Sequence, residues 1–238
     1  MTECSVISLD AQRFLTFCKR NEATGIDFKH FHAVDGDALS HIPNGVVLPG
    51  ANYSMLAIGA ALSHRTLWQE CLSRGEVLAV FEDDAWLRED FEPQLDTLLE
   101  RTGGWDVMLF GCNMDTGVEL AVTPHVSLRG SFSVAFPQSE HLVEFTKMRD
   151  AIELCRVLIA FGICGYAIAP RGAERLLRYC FPLDNRPVRL AVTRREVSAY
   201  GIDCMMAAAY PKIRALLCWP QLVMTPNEQR SSQIQRHA

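Results

Sequence analysis

The stretch VLAVFEDDAWL, Val77 to Leu87, sets five mostly apolar residues directly against three acids. An unbroken apolar run lacks the alternation of a half-exposed strand and fits a strand covered on both faces. Such strands belong to sheets with helices packed on either side. Glu82, Asp83 and Asp84 arrive where the strand must end. Adjacent carboxylates repel one another, and burying them unpaired is costly. In an open α/β sheet, ligands bind beyond the carboxyl ends of the strands. Acids at that rim suit a hard divalent cation, which takes oxygen ligands, holds substrate phosphates and removes the repulsion. The plain alternative is a solvated turn whose acids cap the next helix.

The rest of the chain supports an α/β plan. CSVISL, Cys4 to Leu9, reads as a first buried strand. A helix follows, with Asp10 as N-cap, an apolar stripe of Phe14, Leu15, Phe17 and Cys18, and Gly25 to close it. IDFKHFHAV alternates and ends in the turn DGD. The opening is therefore β-α-β, with parallel strands and a crossover helix. A loop rich in Pro and Gly leads to a long helix, Met55 to Arg74, ended by Gly75. A helix from Asp90 to Gly103 and the buried strand WDVMLFG come after the acids. This order is a Rossmann-like nucleotide-binding plan. The pattern weakens between Cys112 and Arg156, where short strands and loops over the active face are expected. VLIAFGICGYAIAP reads as one or two strands and RGAERLLRYC as a helix behind Pro170. Residues 181–201 form a polar, Arg-rich excursion. DCMMAAAY reads as a short helix, KIRALLCW as the last strand, and the remainder as a tail.

Composition narrows the partners. A chain of 238 residues with 49% hydrophobic residues supports a sizeable core. A net charge of −5 argues against general nucleic-acid binding. Nine cysteines without a CxxC pair fit reduced thiols in a cytosolic protein better than disulfides or zinc. The start, MTECSVISLD, lacks a basic leader, and the longest apolar run, Val157 to Ala169, is too short to span a bilayer. The expected location is the cytoplasm, with peripheral contact at the inner face of the membrane left open.

Several segments, taken in order, resemble glycosyltransferase family 25, the lipopolysaccharide-biosynthesis and collagen-galactosyltransferase family. VISLD is similar to its opening strand and GIDFKHFHAVDGDAL to its second strand and A-x-D-G turn. IGAALSHRTLWQECL resembles its G-x-x-G-C-x-x-S-H helix, and LAVFEDDAWLREDF its acidic signature. WDVMLFG, GYAIAPRGAERLL and GIDCMM resemble later motifs, so the likeness covers most of residues 4–223. It implies a GT-A type fold, a Rossmann-like mixed sheet flanked by helices. It also implies a UDP-sugar donor, a glycan or glycolipid acceptor such as lipooligosaccharide, and a bound Mn²⁺ or Mg²⁺. The expected organisation is one domain over 1–238: a nucleotide-sugar half at about 4–111, an acceptor half at about 112–223, and a tail at 224–238.

The resemblance also assigns roles. Asp84 is expected to bind the metal, with Glu82 touching it or the ribose, and Asp83 orienting either. Ser8 and Leu9 fall at the donor side; Ser8 stands where the family has Asn, and of an expected Arg run only Arg13 is nearby. Asp35 and Gly36 follow the second strand, where such enzymes hold the uridine. Ser63 and His64 match the helix motif, with His64 expected to hydrogen-bond the donor or the loop over it. Read from the residues alone, Gly162 and Gly165 either let backbone approach a sugar or simply allow strand packing. An inverting transfer needs one carboxylate near the acceptor hydroxyl; Asp203 is the first choice, with Asp115 and Glu153 as alternatives. His125, His141 and His237 are surface histidines, and one of them could serve as a third metal ligand. The cluster Arg186, Arg189, Arg194 and Arg195 suits an anionic acceptor. Two other classes remain: a Mg²⁺-dependent phosphatase or phosphotransferase with Asp10 as nucleophile, and a non-catalytic, receiver-like acidic pocket.

Overall fold

In the computed structural model, which describes residues 2–227, the apolar runs meet in one nine-stranded mixed sheet. Strand β1 (Glu3–Ser8), helix α1 (Ala11–Arg20) and β2 (Lys29–His32) form the expected opening unit. β1 pairs parallel with β2 on one side and with β3 (Leu78–Glu82) on the other. Between them runs α2 (Met55–Arg74), started by the side chain of Ser54 and stopped at Gly75 in left-handed backbone. A two-residue strand β4 (Trp86–Leu87) and α3 (Phe91–Arg101) lead to β5 (Val107–Leu109). Then come the hairpin β6 (Val118–Thr123) and β7 (Val126–Gly130), α4 (Ser139–Thr146), β8 (Glu153–Ile159) and β9 (Gly165–Ile168). Helix α5 (Pro170–Cys180) starts on its proline. A small hairpin, β10 (Pro187–Arg189) and β11 (Glu196–Ser198), precedes α6 (Ile202–Ala209), β12 (Ala215–Trp219) and β13 (Val223–Met224).

The strand order is β2-β1-β3-β9-β5-β12-β8-β6-β7. β9 is inserted antiparallel between β3 and β5. The carboxyl ends of β1, β3 and β5 and the start of β9 therefore share one rim. β3 shows why its sequence is apolar throughout. Leu78 and Val80 pack into the core under α2 and α5, with Trp68, Tyr166 and Leu176. Ala79 and Phe81 pack into the opposite core with Phe17 of α1 and Phe91 and Leu98 of α3. The Phe81 ring lies 5.5–6.2 Å from those of Phe17, Phe28, Phe91 and Phe110. Each such pair adds about 0.5–1.5 kcal/mol beyond burial. The strand is thus anchored by the residue directly before its acids.

Two expectations are corrected. The segment from 112 to 156 reaches the active face only at its start, through Asn113, Asp115 and Thr116. Beyond Thr116 it mostly extends the sheet, because β6 and β8 have hydrophobic residues that pair at the far edge. The segment expected to begin a tail also packs: β13 pairs with β4, and Leu222, Val223 and Thr225 are buried. Residues 228–238, including His237, lie outside the described residues.

The glycines of the DGD turn and the long helix meet. A Cβ on Gly59 would lie 2.5 Å from Val34 O and 2.6 Å from Gly36 N, and one on Gly36 would lie 1.9 Å from Met55 O. Ser63 locks this crossing, accepting from Val34 N at 2.8 Å and donating to Gly59 O at 2.9 Å. In an open helix, Gly→Ala would stabilise by up to about 1 kcal/mol. Here the contacted atoms are backbone and cannot swing away. Gly59→Ala is therefore expected to destabilise by about 1–3 kcal/mol, read as a lower urea midpoint. An unchanged or higher midpoint would show that the turn does not bear on the helix.

Candidate functional site

A cleft of about 450 Å³ opens at the shared rim. Ser8 and Leu9 line it from the end of β1, and Glu82, Asp83 and Asp84 from the end of β3. Asn113, Asp115 and Thr116 reach it after β5, and Gly162 and Ile163 just before β9. The β10–β11 hairpin contributes Leu190 and Val197, and the start of α6 contributes Tyr200 and Asp203.

The three acids have different surroundings. Asp83 is fastened. Arg13 of α1 grips it through two nitrogens, with Nε donating to Oδ2 at 2.6 Å, and Ser8 Oγ donates to the same oxygen at 2.7 Å. Arg20, seven residues on and on the same helix face, donates to the carbonyls of Asp83 and Ala85 at 3.2 and 3.1 Å. Asn21 is buried and bonds both Ala85 O and Leu87 N. This clamp holds the turn against α1.

Asp84 and Glu82 have no such cation: among the described residues neither is ion-paired to Lys or Arg. Asp84 Oδ2 accepts from Thr225 Oγ1 at 2.7 Å, while its Oδ1 is buried without a partner. Burial raises the Asp84 carboxyl above its usual range, and the Thr225 bond opposes the rise. Glu82 is pushed well up, first by burial and then by the charges of Asp84, Asp203 and Asp83. Its side chain keeps 37% of its surface open to the cleft, but protein surrounds the carboxylate closely enough to strip hydration. Asp203 sits in the first turn of α6, whose N-cap is Gly201. Burial raises it, and the amides of Cys204 and Gly162 oppose the rise. Three carboxylates with raised pKa thus share one cleft, which concentrates negative potential there.

Among the described residues no group of three His, Cys, Asp or Glu forms a closed metal cage. The available donors are oxygens of Asp84 and Glu82. That set could hold a hard cation that takes one or two carboxylates and completes its shell with substrate phosphates and water. The orphaned Asp84 Oδ1 is the best-placed donor.

Other expected residues divide. Gly36 lines the cleft, but Asp35 is exposed and accepts from Asp37 N in its own turn. His64 is 1% exposed, and burial lowers its pKa to about 3. It nevertheless lines the cleft, with Nδ1 facing Tyr166 Oη and Nε2 facing Glu82. Asp115 lines the cleft; Glu153 does not, since it stands exposed on β8 opposite Trp219, near Arg101. Asp10 caps α1 through Arg13 N and lies outside the cleft, which leaves the phosphatase reading without its nucleophile. A nine-stranded mixed sheet also departs from a small receiver-like module. His125 is exposed beside the turn after β6, and His141 closes the capping box of α4, so neither approaches the acids. Gly165 does not line the cleft; it makes room for Phe81 and Val223. Arg186 is paired with Asp184 and Arg189 with Glu119, which removes half of the proposed basic cluster. Sequence reasoning missed Thr225, Asn113, Arg20 and Asn21. The seven-residue spacing of Arg13 and Arg20 was the one available signal.

The comparisons with known proteins bear on this geometry. A relative from Anopheles gambiae described as "Glycosyltransferase 25 family member" is 34% identical over 116 residues, covering 42% of this chain and 19% of that protein. The chain therefore matches less than a fifth of that relative's length. A family model described as "Glycosyltransferase family 25 (LPS biosynthesis protein)" matches residues 1–191, which takes in both halves of the acid clamp and stops short of Asp203 and Thr225. A match over most of the chain, on a mixed α/β sheet with the acids at its strand ends, means that this chain belongs to glycosyltransferase family 25.

Proposed function

We propose that this chain is a metal-dependent, inverting glycosyltransferase that moves a hexose, galactose or glucose, from a UDP-sugar to a glycan or glycolipid acceptor. The observation that carries this is the pair Glu82 and Asp84. Among the described residues they lack a Lys or Arg partner, and they stand at a strand end where a nucleotide diphosphate binds in sheets of this plan. When bound, Mn²⁺ or Mg²⁺ would neutralise the charge that builds on the departing diphosphate. Asp84, held by Thr225, and Glu82 would hold it. Ser8, Leu9 and Gly36 would line the donor side, while Arg13 keeps Asp83 out of the cation's reach.

Asp203 would be the base. A carboxylate with an ordinary pKa near 4 binds a proton weakly. Desolvation raises Asp203, which improves its match to a hydroxyl proton at neutral pH. It would take that proton as the acceptor oxygen attacks the anomeric carbon and the bond to UDP breaks. Part of the lining is apolar: Leu190, Val197 and the 52% exposed Tyr200 offer a surface for the C–H face of a sugar. The family description names lipopolysaccharide biosynthesis, which favours a bacterial surface glycan as acceptor. No helix among the described residues is long and apolar enough to cross a membrane. A UDP-sugar and a glycolipid would meet at the cytoplasmic face of one, the location we propose.

Incubation with a panel of UDP-sugars and Mn²⁺ tests the reading. Slow UDP release by water, accelerated by an acceptor glycan, is expected. No release from any UDP-sugar, with or without acceptor extract, would refute it.

The hairpin leads to a further expectation. With Arg186 and Arg189 engaged, Arg194 and Arg195 are the exposed cations at its turn. If they meet a phosphorylated acceptor, reversing both to Glu should raise acceptor KM and flatten its salt dependence, with donor KM unchanged. An unchanged acceptor KM at low salt, where such contacts are strongest, would make the turn an ordinary surface loop.

A further inference from the structure

Beneath Glu82 lies a hydrogen-bond chain that the proposed chemistry does not use. Trp68 Nε1 sits 2.8 Å from Tyr166 Oη, and His64 Nδ1 sits 2.8 Å from the same oxygen. All three side chains are buried, at 0%, 0% and 1% exposure for Trp68, Tyr166 and His64. The indole N–H can only donate, so the Tyr166 oxygen accepts from it. The phenolic hydrogen then needs an acceptor. Among the described residues the one that faces it is His64 Nδ1. A buried hydroxyl is not left without a partner at no cost, so this hydrogen points to Nδ1. Nδ1 must then carry the lone pair. Burial disfavours the charged ring, and a neutral imidazole with an accepting Nδ1 carries its hydrogen on Nε2. Nε2 lies 4.0 Å from Glu82 Oε1.

We infer that Trp68 and Tyr166 fix the tautomer of His64, and that His64 is a positioning residue for Glu82. The Nε2 nitrogen lies nearest one carboxylate oxygen of Glu82, which also lines the cleft. At 4.0 Å the bond is not yet made. The Glu82 side chain is 37% exposed, so it has room to shift. The direction of the chain matters. Without the Tyr166 hydroxyl, only the 4.0 Å contact with Glu82 would favour hydrogen on Nε2, and His64 could turn a lone pair toward Glu82. A lone pair against a carboxylate repels it. Trp68, about one turn after His64 on α2, acquires a role through its N–H.

The tautomer does not depend on the proposed reaction, but the consequence for Glu82 rests on it. The experiment therefore has two arms. In the first, ¹⁵N-histidine NMR of the whole chain is recorded, with the His64 signal assigned by its loss in His64→Gln. The expected result is an Nε2–H tautomer in the wild type and a shift toward Nδ1–H, or a mixture, in Tyr166→Phe. An Nδ1–H tautomer in the wild type, or one indifferent to Tyr166→Phe, would overturn the inference. This arm reads whether or not any UDP-sugar is turned over. In the second arm, Tyr166→Phe should lower UDP-releasing activity about tenfold, the low end for outer partners of a ligating group. Glutamine places an amide N–H near the Nε2 position without help from Tyr166. His64→Gln should accordingly retain more activity than His64→Leu, and Tyr166→Phe should cause little further loss in the His64→Gln background. Equal losses in His64→Gln and His64→Leu, with the effects of Tyr166→Phe simply adding, would reduce the chain to core packing.

Discussion

Replacing Asp84 with asparagine should lower sugar transfer by about 10²–10³-fold or more, the range for removing a group that stabilises developing charge. Chelation of the wild type should have the same effect. The fold should survive, because asparagine keeps an oxygen for the Thr225 hydroxyl, which Asp84 now accepts at 2.7 Å. Stability should in fact rise without metal. The folded protein raises the pKa of Asp84, so above its ordinary value the native state must hold a charge that the unfolded chain carries more easily. That cost grows as pH climbs from the unfolded toward the folded pKa and then stays constant. A neutral amide removes it. A higher Tm for metal-free Asp84→Asn at neutral pH, together with lost activity, is the expected pair of results. Full wild-type activity in excess EDTA would end the metal-dependent account.

The second large effect concerns Asp203. Asp203→Asn should lower kcat by about 10²-fold or more, within the range of general-base catalysis. Donor Kd should scarcely change if Asp203, which lines the cleft with Tyr200, serves the acceptor as proposed. A collapse of donor affinity with kcat preserved at saturation would move Asp203 to the donor site. Asp115, which also lines the cleft, would then be the next candidate.

Much of this fold was legible because apolar runs and caps are local signals. β3, α2 with its Ser54 and Gly75 ends, and the proline-led α5 all follow from neighbours in sequence. The acids at the end of β3 were legible for the same reason. What was not legible depends on distant pairing. Nothing in PQLVMT announces that Thr225 bonds an acid 141 positions earlier, and an apparent tail became β13. Nor can a sequence distinguish three adjacent acids. Arg13 claims Asp83, Thr225 holds Asp84, and His64 faces Glu82 only because three separate elements converge on one turn. The Arg-rich excursion misled for a related reason: Asp184 and Glu119 take up two of its four charges.

The most direct test of the central claim is an anomalous difference map from crystals grown with Mn²⁺ and UDP. The account predicts a manganese peak against Asp84 and the nucleotide lying in the cleft between Ser8 and Asp203. Nucleotide bound in the cleft without manganese at the acids, or bound elsewhere on the protein, would contradict it.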